Sequence, residues 1–231
     1  MDGNNIDKEL NLSLELEENS KSDSKYFINN LIKNTPIVSN MVSIGHIENI
    51  LSKLDIVIKN NVEGDVVELG CNVGTTSIFI SQMINNFASN KNYHVYDSFE
   101  GLPEKVDKDL TNNDVYKKGS CKTTKDTFIN NFNKLNLSIP FIHIGWFSEI
   151  PDEEYPEKIS FAFFDGDFYT SILDSFEKVY YKVQKGGIIV IHDYGYIELP
   201  GVKEACDEFL KNKPEKIVKI DGISLGYLIK E

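Results

Sequence analysis

The chain has 231 residues, a formal net charge of −12 at pH 7, and a composition that is 41% hydrophobic and 11% aromatic. This length accommodates one large α/β domain or two small ones, and the apolar fraction is sufficient for a buried core. The strong negative charge argues against a nucleic-acid duplex or an anionic membrane surface as a partner.

The cysteines and the hydropathy pattern indicate the cellular setting. Cys71, Cys121 and Cys206 lie far apart and form no CxxC pair, so neither a zinc site nor a disulfide framework is predicted. The sequence has no signal-peptide pattern and no apolar run that approaches the length of a membrane span. We therefore expect a soluble cytoplasmic protein.

Residues 1–24 are polar, acidic and free of aromatic side chains. This composition predicts a flexible N-terminal arm, followed by a single domain over residues 25–231. A sharper alternative is that the arm orders over a site or exchanges between two copies of the chain. A homodimer is the oligomer that we expect.

Hydrophobic periodicity then predicts alternating helices and strands. Apolar residues recur at helical spacing between Met41 and Ile58. Strands are predicted at 66–69, 93–97, 141–145, 159–165, 186–193, 216–221 and 224–230, and further helices at about 75–87, 124–136, 170–183 and 201–212. The last two strands are predicted to form an antiparallel hairpin. This order predicts an α/β fold with a doubly wound, mostly parallel, seven-stranded sheet that binds ligands at the carboxyl ends of its strands.

The first predicted strand ends in a glycine-containing turn, VVELGCNVGTTS at residues 66–77. Gly70 and Gly74 allow a tight turn and the close approach of a ligand to the backbone. Asn72 stands where a dinucleotide fingerprint has glycine, which argues against an NAD dehydrogenase, and the glycine-lysine pair of a phosphate loop is absent. Glu68 could bind a cationic ligand group or simply be an exposed acid beside a plain turn.

Asp97 ends the second predicted strand. An acid at that position is suited to binding the hydroxyls of a ribose, which indicates a nucleoside ligand. The alternative is a loop carboxylate without a ligand. The segment SFEGLP follows directly, so an aromatic side chain and a turn would lie close to the base of such a nucleoside.

Acidic side chains also follow the fourth and fifth predicted strands. Asp165 and Asp167 flank one glycine in FFDGDFYTSI, and His192 and Asp193 end the fifth strand. If these two strands are neighbours, their ends lie about 5 Å apart, and three carboxylates with one imidazole can form a divalent-metal site. The alternative is that His192 and Asp193 only cap loops.

Several motifs together resemble the class I S-adenosylmethionine-dependent methyltransferases, and more closely the macrocin O-methyltransferase (TylF-like) family. They are MVSIGHIENI, GDVVELGCNVGTTS, YDSFEGLP, GWFSEIP, the run from FFDGDFYTSI to IVIHDYG, and GVKEACDEF. The resemblance covers about residues 36–212. It implies a magnesium-dependent enzyme that methylates a sugar hydroxyl of a glycan, a sugar nucleotide or a glycosylated metabolite.

The resemblance also implies roles for individual residues. Asp167 is similar to the proposed general base of the family, and Asp165, His192 and Asp193 occupy the positions of metal ligands. The residues that it places at S-adenosylmethionine are Met41, Glu68, Gly70, Asn72, Gly74, Thr75, Asp97, Ser98, Phe99 and Asp165. His46 lies in a segment near the cofactor and receives no role.

One departure from the family pattern concerns the metal. The family commonly has two aspartates before the tyrosine of the DY motif, whereas this chain has His192 and Asp193. An imidazole nitrogen favours magnesium less and transition metals more. His192 therefore either binds the metal, leaves a site of two carboxylates with more water, or acts as a base.

Two rival functions follow from the same residues. The DGD motif fits a DxD glycosyltransferase that holds a metal and a nucleotide sugar, although the first turn and Asp97 indicate an adenosyl ligand instead. The other rival is a methyltransferase-like scaffold with a decayed site, in which His192 would be the sign of decay. The presence of Asp165, Asp167 and Asp193 argues against that loss.

Overall fold

The computed structural model describes residues 24–113 and 115–231. The predicted arm at residues 1–24 lies almost wholly outside these residues, so its flexibility stays a prediction, as does the boundary after residue 24. The chain divides into two compact units after Pro36. In the first unit, residues 24–34 form helix α1. All remaining elements belong to the second unit, which begins at Ile37.

The second unit contains the predicted seven-stranded sheet, in the order β3-β2-β1-β4-β5-β7-β6. Strands β1 to β5 are parallel, and β7 is antiparallel to both β5 and β6. The strands are β1 (Asp65–Leu69), β2 (Tyr93–Asp97), β3 (Phe141–Ile144), β4 (Ile159–Phe164), β5 (Val183–His192), β6 (Val218–Lys219) and β7 (Leu225–Ile229). The predicted fold and the C-terminal hairpin are confirmed.

In the described part of the chain, five α-helices accompany the sheet: α2 (Ile44–Lys59), α3 (Thr75–Phe87), α4 (Lys125–Lys134), α5 (Tyr169–Val179) and α6 (Pro200–Leu210). The prediction that α5 continues to residue 183 is wrong, because Val183 already pairs with Ile159 in the sheet. Among the helices in the described ranges, none combines the length and apolar character needed to cross a membrane.

The core lies on both faces of the central strands. All six residues of β4 are buried, as expected for a parallel strand covered on both sides. Ala162 and Phe164 belong to an apolar cluster with residues of α5 and α6, such as Phe176 and Cys206. Helix α2 packs against α3, β4 and β5. Each large apolar side chain that is fully buried stabilises the fold by roughly 1.5–3 kcal/mol.

Helix α5, which follows the DGD motif, is capped by a residue far away in the chain. Its N-cap residue, Phe168, makes no side-chain hydrogen bond to the helix. Instead Oδ1 of Asp109, in the β2–α4 connection, accepts the backbone N–H of Tyr169 at 2.7 Å, and Oδ2 accepts that of Val106 at 3.0 Å. Asp109 is 2% exposed. It therefore joins the connection to the start of α5.

We expect Asp109→Ala to lower the free energy of unfolding by about 1–3 kcal/mol, because the buried N–H of Tyr169 and the partly buried N–H of Val106 lose their acceptor. Urea unfolding followed by circular dichroism measures this change. The matched control is Asp107→Ala, which alters an exposed acid two residues earlier in the same β2–α4 connection and should change stability by less than about 0.5 kcal/mol. Equal effects of the two substitutions would contradict the capping role.

Candidate active site

The carboxyl ends of β1, β2, β4 and β5 are in register, so the residues after these strands form one row. Gly70 follows β1 with a φ of 92°, and a Cβ atom there would lie 2.1 Å from the carbonyl oxygen of Asp165. Only glycine fits this close approach. The turn after β1 therefore packs directly on the DGD segment.

A cavity of about 670 Å³ opens along this row. Nine of the predicted site residues line it: Met41, Gly70, Asn72, Asp97, Ser98, Asp165, Asp167, His192 and Asp193. Four others are not part of its wall, namely Glu68, Gly74, Thr75 and Phe99. The adjacency of β4 and β5, on which the metal prediction depended, is confirmed.

Backbone strain concentrates around this cavity. Seven described residues other than glycine have a positive φ, and four of them line the cavity: Asn72, Cys121, Asp167 and Asp193. Such conformations cost of order 1–3 kcal/mol each and typically persist at functional sites, where the surrounding structure holds them. The strain at Asp167 and Asp193 marks both strand exits as candidate catalytic positions.

Among the described residues, side chains suited to binding a metal are grouped at Asp165, His192 and Asp193. One ligand atom from each lies within 4.8 Å of the others. Nδ1 of His192 lies 2.9 Å from Oδ1 of Asp165 and 2.8 Å from Oδ2 of Asp193. Neither ring nitrogen of His192 makes an aligned hydrogen bond, although both are buried. Two carboxylates and an imidazole with unsatisfied nitrogens fit a divalent cation.

The charges of this group act on one another. Burial alone would lower the pKa of His192, but the carboxylates of Asp165 and Asp193 outweigh it and raise that pKa well above its usual value. Asp167 keeps some exposure to the cavity, yet protein surrounds its carboxyl group. Burial, followed by repulsion from Asp165 and Asp193, raises the pKa of Asp167 well above its usual value. The charges of Asp165 and Asp193 therefore favour a proton on both His192 and Asp167.

Asp97 holds the turn after β1 as well as facing the cavity. Its Oδ2 accepts the backbone N–H groups of Cys71 at 3.0 Å and Asn72 at 2.8 Å, and its Oδ1 accepts that of Phe99 at 2.7 Å. Burial raises its pKa, while these three hydrogen bonds act in the opposite direction. A carboxylate has about four acceptor positions, so one remains for a ligand hydroxyl.

Glu68 lies beneath the cavity rather than at its wall. It is 1% exposed, and Oε2 accepts hydrogen bonds from Ser77 at 2.6 Å and from the hydroxyl of Tyr93. Burial raises its pKa to about 8, against the effect of those two hydrogen bonds. In this position the carboxyl group ties β1 to α3 and β2.

The raised pKa of Glu68 predicts a pH-dependent contribution to stability. Its pKa is about 8 in the folded chain and 4.5 as the reference value. The folded state therefore binds the proton more tightly, and the stability that Glu68 contributes is full below pH 4.5 and is lost as the pH rises through 8. Between these limits the slope approaches about 1.4 kcal/mol per pH unit.

Glu68→Gln, which keeps the shape and stays neutral, should remove this slope. We expect urea unfolding to show that the variant gains stability relative to the unsubstituted chain between pH 5 and pH 8. Taking the difference between the two curves cancels other groups, such as His94, whose pKa is lowered by burial to about 4. Parallel curves would show that Glu68 is ionised throughout.

The site also includes residues to which sequence reasoning gave no role. His46 and Ser224 line the cavity beside Asp193, and Tyr116 and Lys118 reach it from the β2–α4 connection. Burial and the nearby His192 lower the pKa of His46. No sequence motif identifies Ser224, because it reaches the site only through the antiparallel pairing of β7 with β5.

Comparison with known proteins gives a consistent result. The family model described as Macrocin-O-methyltransferase (TylF) matches residues 14–227. Demethyldecarbamoylnovobiocin O-methyltransferase of Streptomyces niveus is 29% identical over 178 residues, which cover 73% of this chain and 66% of that protein. Mycinamicin III 3''-O-methyltransferase of Micromonospora griseorubida is 24% identical over 80% of this chain and 76% of its own length.

Solved structures agree with this match. The structure of the O-methyltransferase NovP has a TM-score of 0.71 and 25% identity, and the alignment covers 83% of this chain and 81% of that one. The calicheamicin methyltransferase CalS11 has a TM-score of 0.67 over 90% of this chain, and at 17% identity it supports the fold alone.

Proposed function

Because this chain belongs to the macrocin O-methyltransferase family, we propose that it transfers the methyl group of S-adenosylmethionine to a sugar hydroxyl. Relatives of the chain are named as O-methyltransferases of demethyldecarbamoylnovobiocin and mycinamicin III, and we take the sugar of a glycosylated small molecule as the proposed acceptor. The proposal includes a divalent metal ion and a homodimer in the cytoplasm.

One observation carries the proposal. A single cavity brings Asp97, at the end of β2, together with the DGD segment after β4 and the His192–Asp193 pair after β5. Ligands of open α/β sheets bind at the carboxyl ends of the strands. A nucleoside at β1 and β2 would therefore have its reactive end beside β4, where Asp165 and Asp167 lie.

The nucleoside end of the cavity is formed by the turn after β1 and the residues after β2. The free acceptor position of Asp97 suits one ribose hydroxyl, while its other positions keep the turn closed. The close packing of Gly70 on Asp165 leaves the backbone open to a ligand. When bound, S-adenosylmethionine would supply a methyl group on a sulfonium: the acceptor oxygen would bond to the methyl carbon as the carbon–sulfur bond breaks, with S-adenosylhomocysteine as the leaving group.

The acceptor end is formed by Asp167 and the residues that face it. Asp167 is the third residue after the end of β4 and lies two positions before the start of α5, with a left-handed backbone conformation at a φ of 60°. In its ionised form, which a divalent cation nearby would favour over the proton, this carboxylate can accept the proton of an attacking hydroxyl as general base. The aligned oxygen and methyl group would gain further from proximity.

Asp165, His192 and Asp193 would hold the divalent ion. When bound, such an ion would lower the pKa of a hydroxyl that it contacts. It would also offset the repulsion among the carboxylates of Asp165, Asp167 and Asp193. The imidazole must be neutral to act as a ligand, so metal binding would compete with the proton on His192.

A methyl-transfer assay tests the proposal. The purified protein is incubated with S-adenosylmethionine labelled on the methyl group, with Mg²⁺ or Mn²⁺, and with a panel of deoxysugar glycosides and nucleotide sugars. We expect label in a glycoside and the gain of one methyl group by mass spectrometry. Release of nucleoside diphosphate from a nucleotide sugar, without methyl transfer, would instead support the DxD glycosyltransferase.

A further inference from the structure

A chain of side-chain contacts connects Asp193 to the start of α2. Nδ1 of His46 accepts the backbone N–H of Ser43 at 3.3 Å and lies 2.6 Å from the Ser43 hydroxyl. Nε2 of His46 lies 3.3 Å from Oγ of Ser224, and that hydroxyl donates to Oδ1 of Asp193 at 3.3 Å. Four residues, at the start of α2, just after β5 and just before β7, are thus joined without interruption.

The direction of these hydrogen bonds follows from the first of them, between Ser43 and His46. A backbone N–H can only donate, so Nδ1 of His46 must be an acceptor. In a neutral imidazole the proton is then on Nε2, which donates to Oγ of Ser224. The Ser224 hydroxyl therefore directs its own proton to Asp193. Each donor in the chain points towards the carboxylate.

The sheet register brings Ser224 and Asp193 together. His192 pairs with Leu225 in the antiparallel ladder, so Asp193 and Ser224 are the next residues on each strand. Ser224 engages Oδ1 of Asp193, and Oδ2 lies 2.8 Å from Nδ1 of His192. One oxygen is fixed from outside while the other faces the candidate ligand group.

His46 also contacts a second member of that group. Its ring lies edge-on to the ring of His192, with centroids 4.8 Å apart. His46 therefore limits the rotation of the imidazole and orients the carboxylate through Ser224. Buried ligand groups with few rotamers lose less entropy when they bind an ion.

We propose that His46 and Ser224 are positioning residues that orient His192 and Asp193 for a divalent metal ion. The inference rests on the metal site of the proposed function and assigns that site a supporting layer. Partners of this kind fix the orientation of metal ligands, and their removal typically costs about 10–100-fold in metal affinity.

Calorimetric titration of Mn²⁺ into the purified full chain, without cofactor or acceptor, tests the inference. We expect Ser224→Ala and His46→Phe each to weaken Mn²⁺ binding by about 10–100-fold. Because both act through one chain, the double variant should lose little more than either single variant. Ser224→Thr, which retains the hydroxyl, should restore the affinity and so exclude a folding defect.

The matched control is Ser148→Ala, which removes another hydroxyl from the cavity wall. Ser148 hydrogen-bonds Asp174 and not the candidate ligands, so its loss should leave Mn²⁺ affinity unchanged. If the unsubstituted chain binds Mn²⁺ and Ser224→Ala binds it equally well, the positioning role is wrong and the metal site stands. If the unsubstituted chain binds no Mn²⁺, the metal site itself fails and the inference with it.

Discussion

Asp167→Asn is expected to reduce methyl transfer by about 10²–10⁴-fold, the usual contribution of a general base, without weakening the binding of S-adenosylhomocysteine. Asparagine matches aspartate in shape but cannot take the proton of the acceptor hydroxyl. The cofactor end of the cavity, at Asp97 and Gly70, is untouched by the change. The loss should therefore appear in kcat and not in cofactor affinity.

Two measurements distinguish this effect from damage to the fold. Asp167 faces Asp165 and Asp193, so a neutral side chain relieves repulsion, and the Tm of the variant should not fall. Asp174→Asn is the matched control, because Asp174 lines the same cavity and has no role in the proposed chemistry. A rate for Asp167→Asn close to that of the control would remove Asp167 from the mechanism.

The residues at the carboxyl ends of the strands could be predicted from the sequence because each strand has a simple hydrophobicity pattern. Continuous apolar runs such as 159–164 predict a buried parallel strand. The first acid after such a run must lie at the carboxyl end of that strand. Asp97, Asp165 and Asp193 were predicted at the ends of their strands in this way, and all three line the cavity. The spacing of helices and strands was sufficient for that step.

The direction of individual side chains could not be predicted in the same way. Glu68 precedes the turn and resembles a ligand residue, but its side chain points to Ser77 and Tyr93 beneath the cavity. Spacing in the sequence locates a strand end and does not show which side chains are needed to join neighbouring elements. The buried carboxyl group of Glu68 makes such a connection, because it accepts hydrogen bonds from two hydroxyl groups on neighbouring elements.

Contacts between segments that are distant in the sequence could not be predicted either. His46 and Ser224 are 178 positions apart, and only the pairing of β5 with β7 brings Ser224 to Asp193. Asp109 caps α5 from 60 positions away, where the local sequence offers Phe168 instead of a capping residue. Hydrogen bonds of this kind depend on the register of the finished sheet.

The second large effect is expected at the metal ligands. Asp165→Asn and Asp193→Asn should each abolish both Mn²⁺ binding and methyl transfer, because either change removes one of the three ligands in the group and part of the negative charge that attracts a cation. EDTA should likewise abolish activity in the unsubstituted chain, and added metal should restore it. Activity that is unchanged in EDTA would refute metal dependence.

The identity of the metal follows from the nitrogen ligand. Magnesium prefers oxygen, whereas an imidazole beside carboxylates suits manganese, iron or cobalt. We therefore expect Mn²⁺ or Co²⁺ to restore the EDTA-treated protein better than Mg²⁺. His192→Asp should reverse that order, because it returns the site to the all-oxygen set that the family pattern implies. If Mg²⁺ is preferred both with and without this substitution, His192 does not select the metal, and its place between Asp165 and Asp193 must serve a different purpose.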